Sequence, residues 1–269
     1  MHLNLTLLPY LEPLLSVHNK FNQQPDNLCG PYWVSLLLQA YGGVSVSPVE
    51  AAIAASTGLP STGNPTDWLP PAATSLRGAG YDTIPTLADV DACGTSIHGL
   101  IHATDQLSQG RFCLIPLQAD NWEDGLSTVW TLCQTHPDWQ AIPILNPHTN
   151  YLWGSKLTPP ALVSYLQTKQ LSPSPPDWSV GHFALLVGQL QGSQNALYAL
   201  QDTYPHFGWQ GLHLQPPEAI AQSLKRPLQT TQGGIALFIS TEARAAVEQL
   251  VTQPGLQIKP WDNGTPIDI

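Results

Sequence analysis

The chain has 269 residues, of which 42% are hydrophobic and only 10% are charged. This composition supports a sizeable buried core and does not fit a disordered chain. The formal net charge is −10 and Lys and Arg form no cluster, so nucleic acid and anionic lipid are poor partners, and a neutral or basic ligand suits the field better.

The front of the chain is predicted to be mainly helical. Residues 1–20 are predicted to form a short helical lead-in, and because they lack a cationic start, no signal peptide is expected. Residues 28–41 have helical composition with consecutive leucines, which predicts a helix buried through the middle of the domain. Ser47 and Glu50 match a capping box at the start of another helix, whereas residues 57–72 are rich in Pro, Gly, Ser and Thr and predict a loop.

The middle of the chain is predicted to mix helices with a strand. Residues 95–109 favour a helix and residues 111–117 favour a strand. Residues 118–180 are rich in Trp and Pro and include two expected helices, at about 123–135 and 159–169. We expect this region to be an insertion that builds one wall of a cleft.

The last third of the chain alternates short apolar runs with turns. Four strands are predicted at 182–189, 196–202, 212–214 and 234–240, and two helices at about 217–224 and 241–251. A helix-rich front and a sheet-rich back predict one α+β domain, with a helical lobe at about 1–110 and a sheet lobe at about 181–269. No apolar run approaches the length of a membrane span, and the four cysteines include no CxxC pair, so a cytoplasmic protein with free thiols and no membrane insertion is expected.

Cys29 is the leading candidate for a nucleophile, because it stands at the start of the helix predicted over 28–41. Unpaired N–H groups and the helix dipole at that end favour the thiolate, which is the reactive form of a cysteine. Asp26 or Asn27 is expected to cap the helix. Gly30 is expected to leave room for a substrate backbone beside the sulfur, while the backbone N–H of Cys29 donates to a tetrahedral oxyanion.

Three further residues extend this candidate site. A second oxyanion donor is expected from Gln23, six residues before Cys29, with Gln24 as the alternative. His182 opens one predicted strand and Asp202 ends the next, so the two offer a base and a residue that orients it. The chain order Cys, His, Asp is that of a papain-like thiol enzyme.

The pattern Gln-x₅-Cys-Gly-x-x-Trp, made by Gln23, Cys29, Gly30 and Trp33, resembles the active-site segment of papain-like cysteine peptidases. The sequence Cys-Gly-Pro is more similar to the bacterial double-glycine leader peptidases of the same clan. The resemblance covers the Cys helix and the His and Asp strands, and it leaves residues 118–180 unmatched.

The resemblance implies a fold and a mechanism. His182 would act as base and acid, Asp202 would fix its tautomer and orientation, and Gly30, Trp33 and Gly181 would contact substrate. A helical part carrying the cysteine would pack on an antiparallel sheet carrying the histidine and the aspartate. The expected activity is hydrolysis of a peptide or small amide through an acyl-enzyme, with no cofactor and no metal.

Other functions stay open at this point. The same acyl-enzyme could be released by an amine, which would make the protein an acyltransferase or a peptide cyclase, and a protein of this fold can also bind peptides without catalysis. Taken singly, Cys29 could be a small buried hydrophobe, His182 a strand-edge histidine and Asp202 a turn residue. Their occurrence in this order beside a glutamine is what those interpretations explain badly.

A zinc site is a weaker alternative. Cys93, His98 and His102 place two imidazoles four residues apart on a predicted helix, a spacing that can chelate zinc. A glutamate base does not follow His98, so a metalloprotease is not indicated and a chance pair is favoured.

Overall fold

A computed structural model of the protein describes residues 3–21, 23–62, 68–169, 174–252 and 255–266. The strands in these ranges are β1 (Asn4–Leu7), β2 (Leu59–Pro60), β3 (Thr86–Leu87), β4 (Phe112–Ala119), β5 (Ile142–Leu145), β6 (Ala184–Gln191), β7 (Ala196–Gln201), β8 (Leu212–Gln215), β9 (Ile235–Ser240) and β10 (Leu256–Ile258). Eight of them form one antiparallel sheet in the order β10-β4-β9-β5-β6-β7-β8, with β1 also paired to β6. β2 and β3 form a separate parallel pair.

The α-helices in the described ranges are α1 (Leu11–His18), α2 (Cys29–Gly42), α3 (Pro48–Ala54), α4 (Ile97–Ser108), α5 (Trp122–Thr135), α6 (Pro159–Thr168), α7 (Pro217–Lys225) and α8 (Arg244–Val251). The predicted α+β class is therefore confirmed. The capping box is present, because Ser47 Oγ accepts from Glu50 N while Glu50 accepts from Ser47 N. No described helix combines the length and the apolar character needed to cross a bilayer.

The N-terminal segment differs from the helical prediction. Residues 4–7 form a strand on β6, with Asn4 opposite Gln191, and only residues 11–18 are helical. The sequence Asn4-Leu5-Thr6-Leu7 alternates polar and apolar residues with the period of a strand. This alternation favours a strand, and pairing with β6 stabilises that strand.

The region expected to be an insertion contributes a central strand. β5 lies between β9 and β6, and all four of its residues are buried. Pro143 hides this strand in the sequence, because proline is normally excluded from the interior of a sheet. The sheet thus runs across the boundaries expected at 118 and 181.

Helix α2 matches its prediction and lies in the centre of the protein. Every residue from Gly30 to Leu38 is buried, and the helix contacts α1, α3 and α4. Trp33 Nε1 donates a hydrogen bond to the carbonyl oxygen of Phe183 over 3.0 Å. This bond ties the helix that begins at Cys29 to the segment that leads into β6.

Candidate active site

Cys29 is the first residue of α2 and is half-buried. The first N–H groups of a helix have no acceptor within the helix, and together with the helix dipole they favour a negative charge at this sulfur. The cap differs from the prediction, since Leu28 is the N-cap and no side chain caps the helix. Asp26 is buried and accepts hydrogen bonds from Ser75 Oγ (2.5 Å) and Leu76 N (2.9 Å), so it anchors a neighbouring loop instead.

Asn27, the other residue expected to cap α2, lines a cavity together with Cys29. Its φ of 60° lies in the left-handed region, which Asn tolerates better than most residues. Its Nδ2 is buried and has no hydrogen-bond partner among the residues that the structure describes. A buried amide donor without a partner is available to a polar group of a ligand.

His182 lies between the Cys29 thiol and the Asp202 carboxylate. The residue is 1% exposed, and Nε2 lies 3.3 Å from Oδ1 and 3.2 Å from Oδ2 of Asp202. The Cys29 side chain is close enough to this ring to raise the pKa of His182. Because Nε2 faces the carboxylate, Nδ1 is the ring nitrogen that remains for the sulfur.

The charges at this site support one another. Burial alone would lower the pKa of His182, but Asp202 and Cys29 raise it well above its ordinary value. Burial alone would raise the pKa of the Asp202 carboxyl, but His182 holds it below its ordinary value. The geometry therefore favours a charged imidazole beside an ionised carboxylate.

The fold explains why three residues distant in sequence meet. β6 and β7 are antiparallel neighbours in which Leu185 pairs with Gln201, so His182, just before β6, and Asp202, just after β7, lie at the same edge of the sheet. The contact of α2 with Phe183 brings Cys29 to that edge.

The Asp202 side chain is fixed by the turn that follows it. Oδ1 accepts from Tyr204 N at 3.0 Å and from Thr203 Oγ1 at 3.4 Å. The Trp178 ring packs on His182 with centroids 5.1 Å apart and rings at 62°. His182 and Asp202 are both buried, and the Trp178 ring covers part of the imidazole.

Sequence reasoning missed His213, a buried residue of β8. Its Nε2 lies 3.8 Å from Asp202 Oδ2 and forms no hydrogen bond with any described residue. Gln215 Nε2, an amide nitrogen that only donates, lies 3.0 Å from His213 Nδ1, so Nδ1 accepts and Nε2 carries the proton. Burial lowers the pKa of His213, and the neutral ring directs an N–H dipole at the carboxylate. The alternation Leu212-His213-Leu214-Gln215 marks His213 and Gln215 as sharing one face of a strand, which was the available signal.

The two candidate oxyanion glutamines have different surroundings. The Gln23 side chain is buried and its Nε2 donates to the carbonyl oxygen of Thr74. Gln24 lines the cavity with Cys29. Its Oε1 accepts from Thr203 Oγ1 at 2.6 Å, which turns Nε2 away from Thr203, and Nε2 makes one long bond of 3.3 Å to Pro25 O.

Of the three residues expected to contact substrate, two are buried in the interior and one lines the cavity. Gly30 and Trp33 are buried in the interior, where a Cβ on Gly30 would lie 3.0 Å from Leu100 and 3.2 Å from Phe183. The absence of a side chain at residue 30 therefore serves helix packing. Gly181 does line the cavity beside His182.

The cavity has a volume of about 840 Å³. Cys29, Gln24 and His182 contribute to its wall, and the aromatic residues that also line it are Trp68, Trp178, Phe183 and Tyr204. A volume of this size suits a small molecule or a short peptide segment.

A family model described as a family of unknown function, DUF6885, matches residues 8–262. The chain belongs to the DUF6885 family. No curated protein and no solved structure shows a significant match to it.

The other cysteines of this DUF6885 member have different environments. Cys93 lines the same cavity as Cys29, but burial and the nearby Asp89 raise the pKa of its thiol. Cys113 and Cys133 are buried in the core, and burial raises the pKa of the Cys133 thiol to about 12. Across the described residues, no group of three or more His, Cys, Asp and Glu side chains is arranged to hold a metal ion.

Proposed function

We propose that this protein is a papain-like cysteine hydrolase that acts on a peptide or amide bond. The observation that carries the proposal is the order thiol, imidazole, carboxylate, in which His182 contacts both Cys29 and Asp202 at the wall of a cavity. The helix that begins at Cys29 packs against the segment that leads into an antiparallel sheet. The resemblance to papain-like peptidases implies this arrangement, so it supports the proposal.

The chemistry follows from these contacts. The Cys29 thiolate attacks the carbonyl carbon, a C–S bond forms, and the π electron pair moves to oxygen. The C–N bond then breaks as protonated His182 gives its proton to the leaving nitrogen. A water molecule attacks the thioester and gives a proton to His182, the C–S bond breaks, and the acid is released. Asp202 keeps the ring oriented and stabilises its charged form throughout.

Two groups are suited to the oxyanion that forms on the carbonyl oxygen. The backbone N–H of Cys29 lies in the first helical turn and has no intrahelical acceptor. We assign the second donor to Gln24 Nε2, because Gln24 lines the cavity while the Gln23 amide donates to Thr74. The bond from Thr203 holds the Gln24 carboxamide in place before substrate arrives.

The test is capture of the acyl-enzyme by p-nitrophenyl acetate, with the adduct located by mass spectrometry. We expect a hydroxylamine-sensitive acetyl group at Cys29 that turns over in the native protein and in the Cys93→Ser control, and is absent in Cys29→Ala. Acetylation spread over several cysteines, or unchanged in Cys29→Ala, would contradict the proposal.

Release of the acyl group distinguishes hydrolysis from acyl transfer. Adding glycinamide to the acetylated enzyme offers an amine in competition with water. We expect acetate as the main product, as for a hydrolase; acetylglycinamide as the main product would make the protein an acyltransferase.

A further inference from the structure

A buried cationic side chain lines the cavity. Arg226 lines it and is 2% exposed. Nη2 donates to the carbonyl oxygen (3.1 Å) and to Oδ1 (2.8 Å) of Asn146, and Nη1 donates to Thr231 Oγ1 at 3.2 Å. These acceptors are neutral, and among the described residues no Asp or Glu lies within ion-pair distance of the guanidinium.

One donor of this guanidinium, the buried Nε, has no hydrogen-bond partner within the described ranges. Burial lowers the pKa of Arg226 to about 10, against smaller opposing effects of Tyr151 and of the Asp262 carboxylate, so the group is charged near neutral pH. Buried charges in proteins are normally paired, because an uncompensated charge is expensive to remove from water.

Arg226 and Cys29 line the same cavity, and Arg226 is near the residue that precedes His182. A Cβ added to Gly181, that preceding residue, would lie 3.9 Å from Arg226 Nη2, an ordinary van der Waals distance. His148 also lines the cavity, and burial and the charge of Arg226 lower its pKa to about 4. In the described part of the chain its buried Nδ1 has no hydrogen-bond partner. A neutral His148 near the cation does not balance its charge.

Arg226 ends α7 with a φ of 51°, in the left-handed region that Gln109 and Lys169 also adopt at the ends of α4 and α6. A non-glycine residue in this conformation costs of order 1 kcal/mol or more. The conformation and the bonds to Asn146 hold a cation at this point of the cavity wall.

We propose that Arg226 binds a carboxylate of the substrate, and that the protein acts on peptides or amides that carry a carboxylate close to the bond presented to Cys29. This inference rests on the proposed function and supplies its substrate class. It also refines the expectation that a neutral or basic ligand suits the negative net charge, because Arg226 makes this part of an acidic protein locally cationic. Asp91, which is exposed, is the one Asp or Glu among the described lining residues.

The experiment compares alkylation by iodoacetate, which carries a carboxylate, with alkylation by the neutral iodoacetamide. Rate constants at Cys29 are measured by mass spectrometry for the native protein, Arg226→Gln, Arg226→Lys and Arg244→Gln. Arg244 is a surface residue paired with Glu248, so its variant changes the net charge equally, away from the cavity.

We expect the ratio of iodoacetate to iodoacetamide rates to fall about tenfold in Arg226→Gln. It should fall less in Arg226→Lys, which keeps the charge, and stay within about twofold in Arg244→Gln, which loses only an exposed ion pair. A ratio unchanged in a folded Arg226→Gln protein, as judged by thermal melting, would overturn the inference and leave Arg226 as a structural link to Asn146.

A second measurement applies if Arg226→Gln does not fold. In the native protein, 3-phenylpropionate should protect Cys29 from iodoacetamide, and 3-phenylpropanamide should protect it at least about tenfold less well. Equal protection by the acid and the amide would contradict a carboxylate site.

Failure of the proposed function gives a different result. Slow alkylation of Cys29 that does not depend on His182 would contradict the proposal of a thiol enzyme. The ratio of iodoacetate to iodoacetamide rates at Cys29, and at Cys93 in the same cavity, would still show whether Arg226 attracts a carboxylate.

Discussion

His182 lies between two groups that both stabilise its charged form. The Asp202 carboxylate is within 3.3 Å of Nε2, and the Cys29 side chain also raises the pKa of the ring. A pair of this kind needs the negative charge of Asp202 as well as its shape, because an amide would orient the ring without raising the pKa of His182.

Replacing Asp202 by Asn tests that need. We expect acyl-enzyme formation from p-nitrophenyl acetate to fall about tenfold to a hundredfold near neutral pH, because the imidazole loses its ionic partner. The matched control is Asp91→Asn, which removes a cavity carboxylate that has no ion pair with His182. Equal rates in the native protein and the Asp202→Asn variant would remove Asp202 from the mechanism.

The two adjacent glutamines offer a matched pair for the oxyanion. Gln24→Ala should slow acylation about a hundredfold, which is the typical effect of losing one oxyanion donor, while Gln23→Ala should change the acylation rate little. Iodoacetamide alkylation builds no oxyanion and should be unaffected by Gln24→Ala. A larger loss of acylation in Gln23→Ala than in Gln24→Ala would reverse the assignment.

At the scale of elements, the start of α2 determines where Cys29 lies. Gly30 allows close contact with Leu100 and Phe183, and Trp33 bonds the carbonyl of Phe183. Gly30 follows Cys29, and Phe183 follows His182. The position of the sulfur relative to His182 therefore depends on the contact between these two neighbouring residues.

Gly30→Ala should move this first turn by a few tenths of an ångström. We expect destabilisation of about 1 kcal/mol from crowding, partly offset by the better helix propensity of Ala, and a several-fold fall in the alkylation rate of Cys29. Gly42→Ala is the control, because its Cβ meets Phe112 at 3.1 Å at the far end of the same helix. It should alter the urea midpoint without altering Cys29 reactivity; parallel losses of reactivity in both variants would show a general folding effect instead.

Local sequence patterns predicted most helices and the strands of the last third. The capping box at Ser47 and the leucine-rich run after Cys29 are local signals, and both helices are present. β5 could not be predicted because Pro143 obscures it, and β1 depends on a partner strand far along the chain.

The candidate site divides in the same way. Cys29, His182 and Asp202 carry strong local context, and the structure brings them together. His213 and Arg226 act through neighbours that only the fold supplies, namely the Asp202 carboxylate and the cavity wall. No spacing in the sequence indicates either contact.

For the whole molecule, buried neutral histidines should make stability depend on pH. Burial lowers the pKa of His18 from 6.5 to about 4. Gln201 Nε2 donates to its Nε2 over 3.2 Å, which requires the neutral ring, and Nδ1 bonds Tyr32 Oη at 2.8 Å. Below pH 6.5 the unfolded chain binds a proton that the folded protein does not accept until about pH 4, so stability is lost as the pH falls through this range.

We expect the His18 contribution to lower the free energy of unfolding by about 2 kcal/mol between pH 6.5 and about pH 5. Urea unfolding at the two pH values measures it. His18→Gln should show a smaller drop over this range, and His102→Gln, on the exposed side of α4, should keep the native drop. An equal drop in His18→Gln would assign the pH dependence to other groups.

The central claim is that Cys29 and His182 form a reactive pair, and iodoacetamide labelling of individual cysteines tests it most directly. Cys93 lines the same cavity and serves as an internal reference. We predict that at about pH 6 the native protein labels Cys29 at least about tenfold faster than Cys93, and that His182→Ala abolishes this preference. Equal labelling of the two cysteines in the native protein, or a preference that survives in His182→Ala, would contradict the account.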